Sequence, residues 1–152
     1  MSFGETPITV VGNLTSDPEV KFTENGTALA KFTIASTPRT FDKTTNQWKD
    51  GTSTFFKCAA WRQLAEHVAE SLTKGSRVVA FGRIRQHNWQ TPEGDNRSML
   101  ALEIDEIGPS LRFVVARPER APQASTPAPG SDAWSTDSAA STGAKADAEP
   151  PF

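Results

Sequence analysis

The chain has 152 residues, 36% of them hydrophobic, enough for one domain with a modest core plus an extension outside it. No run of about 18 apolar residues is present, which excludes a membrane-spanning helix, and the single cysteine, Cys58, excludes an internal disulfide framework and a cysteine-rich zinc site. The formal charge of −2 hides an asymmetry, because residues 121–152 set Lys145 alone against Asp132, Asp137, Asp147 and Glu149 while the body is nearly neutral; a nucleic-acid role must therefore rest on where the cations cluster.

The start, Met1-Ser2-Phe3-Gly4-Glu5, lacks the basic residues and apolar stretch of a secretory signal, so a cytoplasmic protein is expected. Ile8-Thr9-Val10-Val11-Gly12-Asn13-Leu14 is an apolar, β-branched run ending at the turn Thr15-Ser16-Asp17-Pro18. A second run, Val20-Lys21-Phe22, leads into Asn25-Gly26, a strong hairpin signal because both residues tolerate φ > 0. Ala28, Ala30, Phe32 and Ile34 then alternate with Thr27, Leu29, Lys31 and Thr33, the period of a strand with one dry face.

Pro38 to Ser53 is polar and turn-rich, with Phe41 and Trp48 near its ends, and reads as a projecting hairpin. The two aromatics either fold back or pair across the hairpin, or they contact a ligand. Thr54 to Trp61 is a strand by its aromatics and length. Period two places Phe56, Cys58 and Ala60 on a core face and Phe55, Lys57, Ala59 and Trp61 on the other. Two large aromatics flanking a cation suit burial poorly and suit stacking on bases beside a phosphate.

From Gln63 to Lys74 the period changes: Leu64, Val68 and Leu72, with Ala65 and Ala69, form the stripe of a short amphipathic helix, and Gly75 is the expected C-terminal cap. His67, on its polar flank, is an ordinary surface residue. Arg77-Val78-Val79-Ala80-Phe81 begins another strand, Gly82 allows a bend, and Arg83 to Trp89 continues it. Arg83, Arg85, His87 and Trp89 share one side, the densest cluster of cation and aromatic in the chain. Arg77, Val79 and Phe81 oppose the core set Val78 and Ala80, so both faces are apolar there and a subunit contact is expected. After the turn Thr91 to Arg97, the alternation Leu100, Leu102, Ile104 marks a returning strand, broken at Asp105 to Ser110. Leu111 to Val115 is expected as one more short strand.

Val11-Gly12-Asn13-Leu14, Asp17-Pro18-Glu19-Val20, Asn25-Gly26, Leu64-Ala65-Glu66, Lys74-Gly75-Ser76, Gly82-Arg83-Ile84-Arg85, Trp89 and the final Phe152 together resemble bacterial single-stranded DNA-binding proteins, over roughly Pro7 to Arg117 plus the C-terminal tip. Resemblance implies an all-β fold with one helix, the OB-fold, a five-stranded Greek-key barrel used for oligonucleotides. It also implies an extra C-terminal strand that clamps neighbouring subunits, as in the branch from high-GC Gram-positive bacteria, and a homotetramer around which single-stranded DNA wraps. Position by position, it assigns base stacking to Trp89, Phe55 and Trp61. The family's hairpin tryptophan aligns with Thr40, leaving that contact to Phe41 or Trp48. Phosphate contacts fall on Lys57, Arg85 and Lys74, joined by Arg83, His87, Lys21 and Lys31. Phe56 falls near the subunit interface, with Arg77, Val79 and Phe81.

Past Pro118 the composition becomes Pro, Ala, Ser, Thr, Gly and Asp, with Trp134 the only large apolar residue before the tip. Such a segment cannot offset chain entropy and is expected to be disordered. The division expected is 1–117 for the DNA-binding and oligomerisation domain, 118–146 for a linker and 147–152 for a docking tip. In the tip, Asp147 and Glu149 precede Pro150, Pro151 and Phe152, a ring bearing the free carboxylate, suited to a pocket with a basic rim. The resemblance assigns this tip to recruitment of replication, repair and recombination enzymes. A solvated end without a receptor is the alternative.

No cofactor, metal or membrane partner is expected, and the location implied is the cytoplasm, on the nucleoid. Two rival readings are a primosome-type OB-fold module that mainly binds proteins, whose sign would be a missing aromatic strip, and a small nuclease. The adjacent acids Asp105 and Glu106 lack a companion histidine or cysteine cluster and read as solvated charges, so no enzyme is expected.

Overall fold

A computed structural model describes residues 3–122; the linker from residue 123 on and the tip lie outside the described residues. The first compact unit ends at Glu119. Its elements are β1 (Thr6–Leu14), β2 (Glu19–Phe22), β3 (Ala28–Ser36), β4 (Arg39–Asp42), β5 (Gln47–Asp50), β6 (Thr54–Trp61), α1 (Gln63–Ser71), β7 (Arg77–Gln90) and β8 (Asn96–Pro109).

Five long strands close on themselves. Around the sheet the order is β1-β7-β8-β6-β3, and β3 returns to β1 through Asn13↔Ala35 and Leu14↔Ile34. Neighbours pair antiparallel except β6 and β8, which are parallel. One parallel contact in an otherwise antiparallel closed sheet is the OB-fold arrangement, while β2 adds a short edge to β3. The period-two sets meet inside: Val10 and Leu14, Ala28, Ala30, Phe32 and Ile34, Cys58 and Ala60, Val78 and Ala80, and Leu102 and Ile104 are all buried, with Ala65, Val68 and Leu72 of α1 against them.

Closure depends on two glycines without side chains. A Cβ on Gly12 would overlap the Ala35 carbonyl across the β1–β3 seam, and one on Gly82 would overlap the Glu103 carbonyl. At Gly82 the ladder slips: Phe81 pairs Glu106 and Gly82 pairs Ile104, leaving Asp105 as the extra residue of a β-bulge. The break expected at Asp105 is therefore a bulge within a continuous 14-residue β8, because the close approach at Gly82 lets the ladder resume beyond it.

Two further expectations are corrected. The helix stops at Ser71, not Lys74: Leu72 turns extended (φ −112°, ψ 142°), which buries its side chain in the core. Gly75 does take positive φ (+87°), in the following turn, where its N–H donates to the Leu14 carbonyl (2.8 Å). Leu111 to Val115 is not a strand: after Ser110 the chain turns and pairs with none of the strands described. It leaves Leu111, Phe113 and Val115 exposed, with Arg77 5.5 Å from the Phe113 ring centroid. Phe56 faces inward and packs, partly buried, against the core, as its place beside Cys58 and Ala60 in the alternation dictates.

Candidate nucleic-acid interface

Directly paired residues share a face of a sheet, so the registers draw the outer surface of the barrel. On β3 and β6 the pairs are Leu29↔Trp61, Lys31↔Ala59, Thr33↔Lys57 and Ala35↔Phe55. From β2, Lys21 lies opposite Leu29. From β8, Ala101 adjoins Lys57 and Glu103 adjoins Ala59. Across β8 the pairs continue as Arg83↔Glu103, Arg85↔Ala101, His87↔Met99 and Trp89↔Arg97. Phe55, Trp61, Trp89, Lys21, Lys31, Lys57, Arg83, Arg85 and His87 thus share one side of the barrel sheet, whereas Phe41 and Trp48 lie on the separate β4–β5 sheet.

Exposure follows. Phe55 is 63% exposed, Trp61 41% and Trp89 45%, values far above the core's and large enough to offer a ring face to a base. Lys21, Lys31 and Lys57 are exposed and form no ion pair among the described residues. Lys74 stands apart, in the turn after α1, its backbone N–H donating to Asp17 Oδ1 (2.7 Å).

Beyond the barrel, β7 and β8 run on as a free hairpin whose cleft is lined by Trp89, Arg97 and the amides of Gln86, Asn88, Gln90 and Asn96. Arg97 was not singled out from sequence; its place opposite Trp89 appears only in the register. A second cleft joins Trp61 and Arg62 to Thr23, Asn25 and Thr27 of the β2–β3 turn. Arg62, also missed, precedes α1 with φ +61° and no side-chain cap. A non-glycine residue held there costs on the order of 1–3 kcal/mol, and such positions cluster at functional sites. The only signal for it in the sequence is its adjacency to Trp61.

On the β4–β5 hairpin the two aromatics pair across the strands. Phe41 lies opposite Trp48, ring centroids 5.4 Å apart at 64°, an edge-to-face contact. Both rings remain substantially exposed. Arg39–Asp50 (2.9 Å) and Lys49–Asp42 (2.7 Å) tie the strands together, and the Lys49 contact holds the Asp42 carboxyl down at about 2.

Arg83 and Arg85 are not free cations. Arg83 grips Asp105 with two bonds (Nε–Oδ2 3.1 Å, Nη2–Oδ1 3.0 Å) and reaches Glu5 Oε1 through Nη1 (2.9 Å). Arg85 binds the same Glu5 oxygen (3.0 Å) and Glu103 Oε2 (3.0 Å). The hydrogen bonds that Arg83 donates to Asp105, and then to Glu5, raise its pKa further. Outside this network, Cys58 is buried with its thiol pushed up to about 12 by desolvation, which suits it to packing and not to nucleophilic work. No cluster of metal-ligating groups occurs among the described residues, and no helix there is long and apolar enough to cross a membrane.

A closed OB barrel with exposed rings and free lysines on one outer face defines an oligonucleotide-binding class of protein. The sequence profile of the Single-strand binding protein family matches residues 6–110, and the chain belongs to that family. Among its relatives, the single-stranded DNA-binding protein of Paenarthrobacter nicotinovorans is 48% identical over 168 residues, spanning 98% of this chain and 99% of that one. That of Mycobacterium tuberculosis is 47% identical over 162 residues with the same coverage. These sources fit the high-GC Gram-positive branch expected from the residues. The crystal structure of the small single-stranded DNA-binding protein from Streptomyces coelicolor is similar at a TM-score of 0.61 and 33% identity, covering 72% of this chain and 97% of that one.

Proposed function

We propose that this protein coats unpaired DNA without reading its sequence, serving replication, repair and recombination by binding and not by catalysis. The observation that carries this is the single outer face on which Phe55, Trp61 and Trp89 alternate with Lys21, Lys31 and Lys57. Every base has a π-face, so stacking on such rings is indifferent to sequence and contributes about 1–3 kcal/mol per base. The lysines track the backbone and supply the salt dependence. On the hairpin Arg97, opposite Trp89, extends the cationic track with His87 on the same side, while Phe41 and Trp48 offer a further paired platform. Lys74, off the strip, serves a strand that continues around the barrel.

Subunit contact falls to the exposed Val11, Val79 and Phe81, which the β1–β7 register places together, with Arg77 at the edge and Leu111 to Val115 reaching a neighbour; a homotetramer is the assembly proposed. The Asp147 to Phe152 tip recruits partner enzymes, and the working location is the cytoplasm, on the nucleoid. Anisotropy of labelled oligo-dT, with and without duplex competitor, tests the binding: tight binding that duplex fails to displace supports it, and equal competition refutes it. Deleting Pro151 and Phe152 is expected to abolish pull-down of replication partners and spare oligonucleotide affinity; loss of both, or of neither, refutes the division of labour. Light scattering that finds a monomer at micromolar concentration overturns the assembly.

A further inference from the structure

The outer face holds a second charged group beside the aromatic strip, and its chemistry runs the other way. Arg83 and Arg85 stand two residues apart on β7, where a phosphate-binding role would want them. Around them stand Glu5 from the segment before β1, Glu103 from β8 and Asp105 from the bulge, all within 3.1 Å of a guanidinium nitrogen. Two guanidinium groups meet three carboxylates, so the cluster is net negative by one charge. Two of its acids are largely sequestered: the side chains of Glu5 and Glu103 are 24% and 19% exposed, against 37% for Asp105. A backbone phosphate brought here would have to displace bidentate or bridging carboxylates that stay within a few ångströms after the arginine turns away.

We propose that this carboxylate cluster masks Arg83 and Arg85 from the nucleic-acid backbone and so steers the strand off the base of β7–β8, and that Glu5, which bridges both arginines with one oxygen, is its controlling residue. The inference rests on the reading of the sheet as a single-strand binding face and refines its path: over the β3–β6 rings and lysines, then along the free β7–β8 hairpin. Glu5 is a positioning residue; it touches no base. Glu103 and Asp105, two residues apart on β8 and so on one face, both reach the same arginine, with Asp105 at the bulge.

Oligo-dT titration of the full-length chain across a salt series, followed by tryptophan emission, tests this in wild type, Glu5→Gln, Arg85→Ala and the double variant. Glu5→Gln is expected to bind more tightly at low salt, with a log–log salt slope steeper by roughly 0.7 for each arginine released to a phosphate. Arg85→Ala alone is expected to leave the slope unchanged, and in the Glu5→Gln background to remove about 0.7 of the gain. A flatter slope in Arg85→Ala alone means that Arg85 already neutralises a phosphate and overturns the mask. So does a Glu5→Gln chain that keeps the wild-type melting temperature and gains neither affinity nor slope. A wild-type chain that does not bind oligo-dT overturns the functional reading itself, whereas binding with these slopes unchanged overturns only the mask.

Discussion

Replacing Trp61 by alanine separates stacking from charge most cleanly. Trp61 ends β6, opposite Leu29 and at the mouth of the cleft shared with Arg62 and Asn25. Because the ring is already 41% exposed, its loss removes only part of an apolar burial, and the melting temperature should move by a few degrees at most. The loss of one stacking platform should cost about 1–3 kcal/mol of binding, roughly 5- to 160-fold in affinity. Lys31 and Lys57 remain, so that loss should be the same at every salt concentration, with parallel log–log plots for wild type and variant. Anisotropy of a labelled oligo-dT across a salt series reads both quantities. An unchanged affinity removes Trp61 from the site, and a loss accompanied by a flatter slope shows that its removal disturbs the cations, contrary to the division drawn here.

Lys57→Ala should show the converse, a slope flatter by roughly 0.7 with stacking retained, measured in the same titration. Gly82→Ala should destabilise the barrel by about 1–3 kcal/mol through overlap with the Glu103 carbonyl, a fall of roughly 5–15 °C in melting temperature by calorimetry; an unchanged midpoint contradicts the close approach at the bulge. Asp42, with its pKa lowered to about 2, should contribute hairpin stability that is complete above the ordinary carboxylate range and lost as pH falls through about 2; a carboxyl NMR titration with a midpoint near 4 refutes the Lys49 contact. Cys58, raised to about 12, should resist iodoacetamide at mildly alkaline pH until the chain is denatured, and rapid alkylation of the native protein contradicts its burial.

The core was readable because period two is a local property: Phe32, Ile34, Cys58, Ala60, Val78 and Ala80 follow from side chains alternating across a strand. Barrel closure was not, since the parallel β6–β8 pairing and the β1–β3 seam join residues distant in the chain and rested on family resemblance. The alternation also placed Phe55, Lys57, Trp61, Arg83, Arg85 and Trp89 on outer faces, yet it could not show which cations are paired. Glu5 lies 78 and 80 residues from its two arginines, and Asp105 lies 22 residues from Arg83, across the β7–β8 ladder. The helix end misread for a similar reason: nothing local distinguishes a Leu72 that continues the helix from one that leaves it to fill the core.

The central claim is that flat rings on the barrel's outer face hold unpaired bases. Tryptophan emission of the full-length protein titrated with poly-dT, against a duplex of equal length and salt, puts it to the most direct test. Strong quenching by poly-dT and little by duplex is the result predicted from Trp61 and Trp89 stacking; emission left undimmed by excess poly-dT, or dimmed equally by duplex, contradicts it.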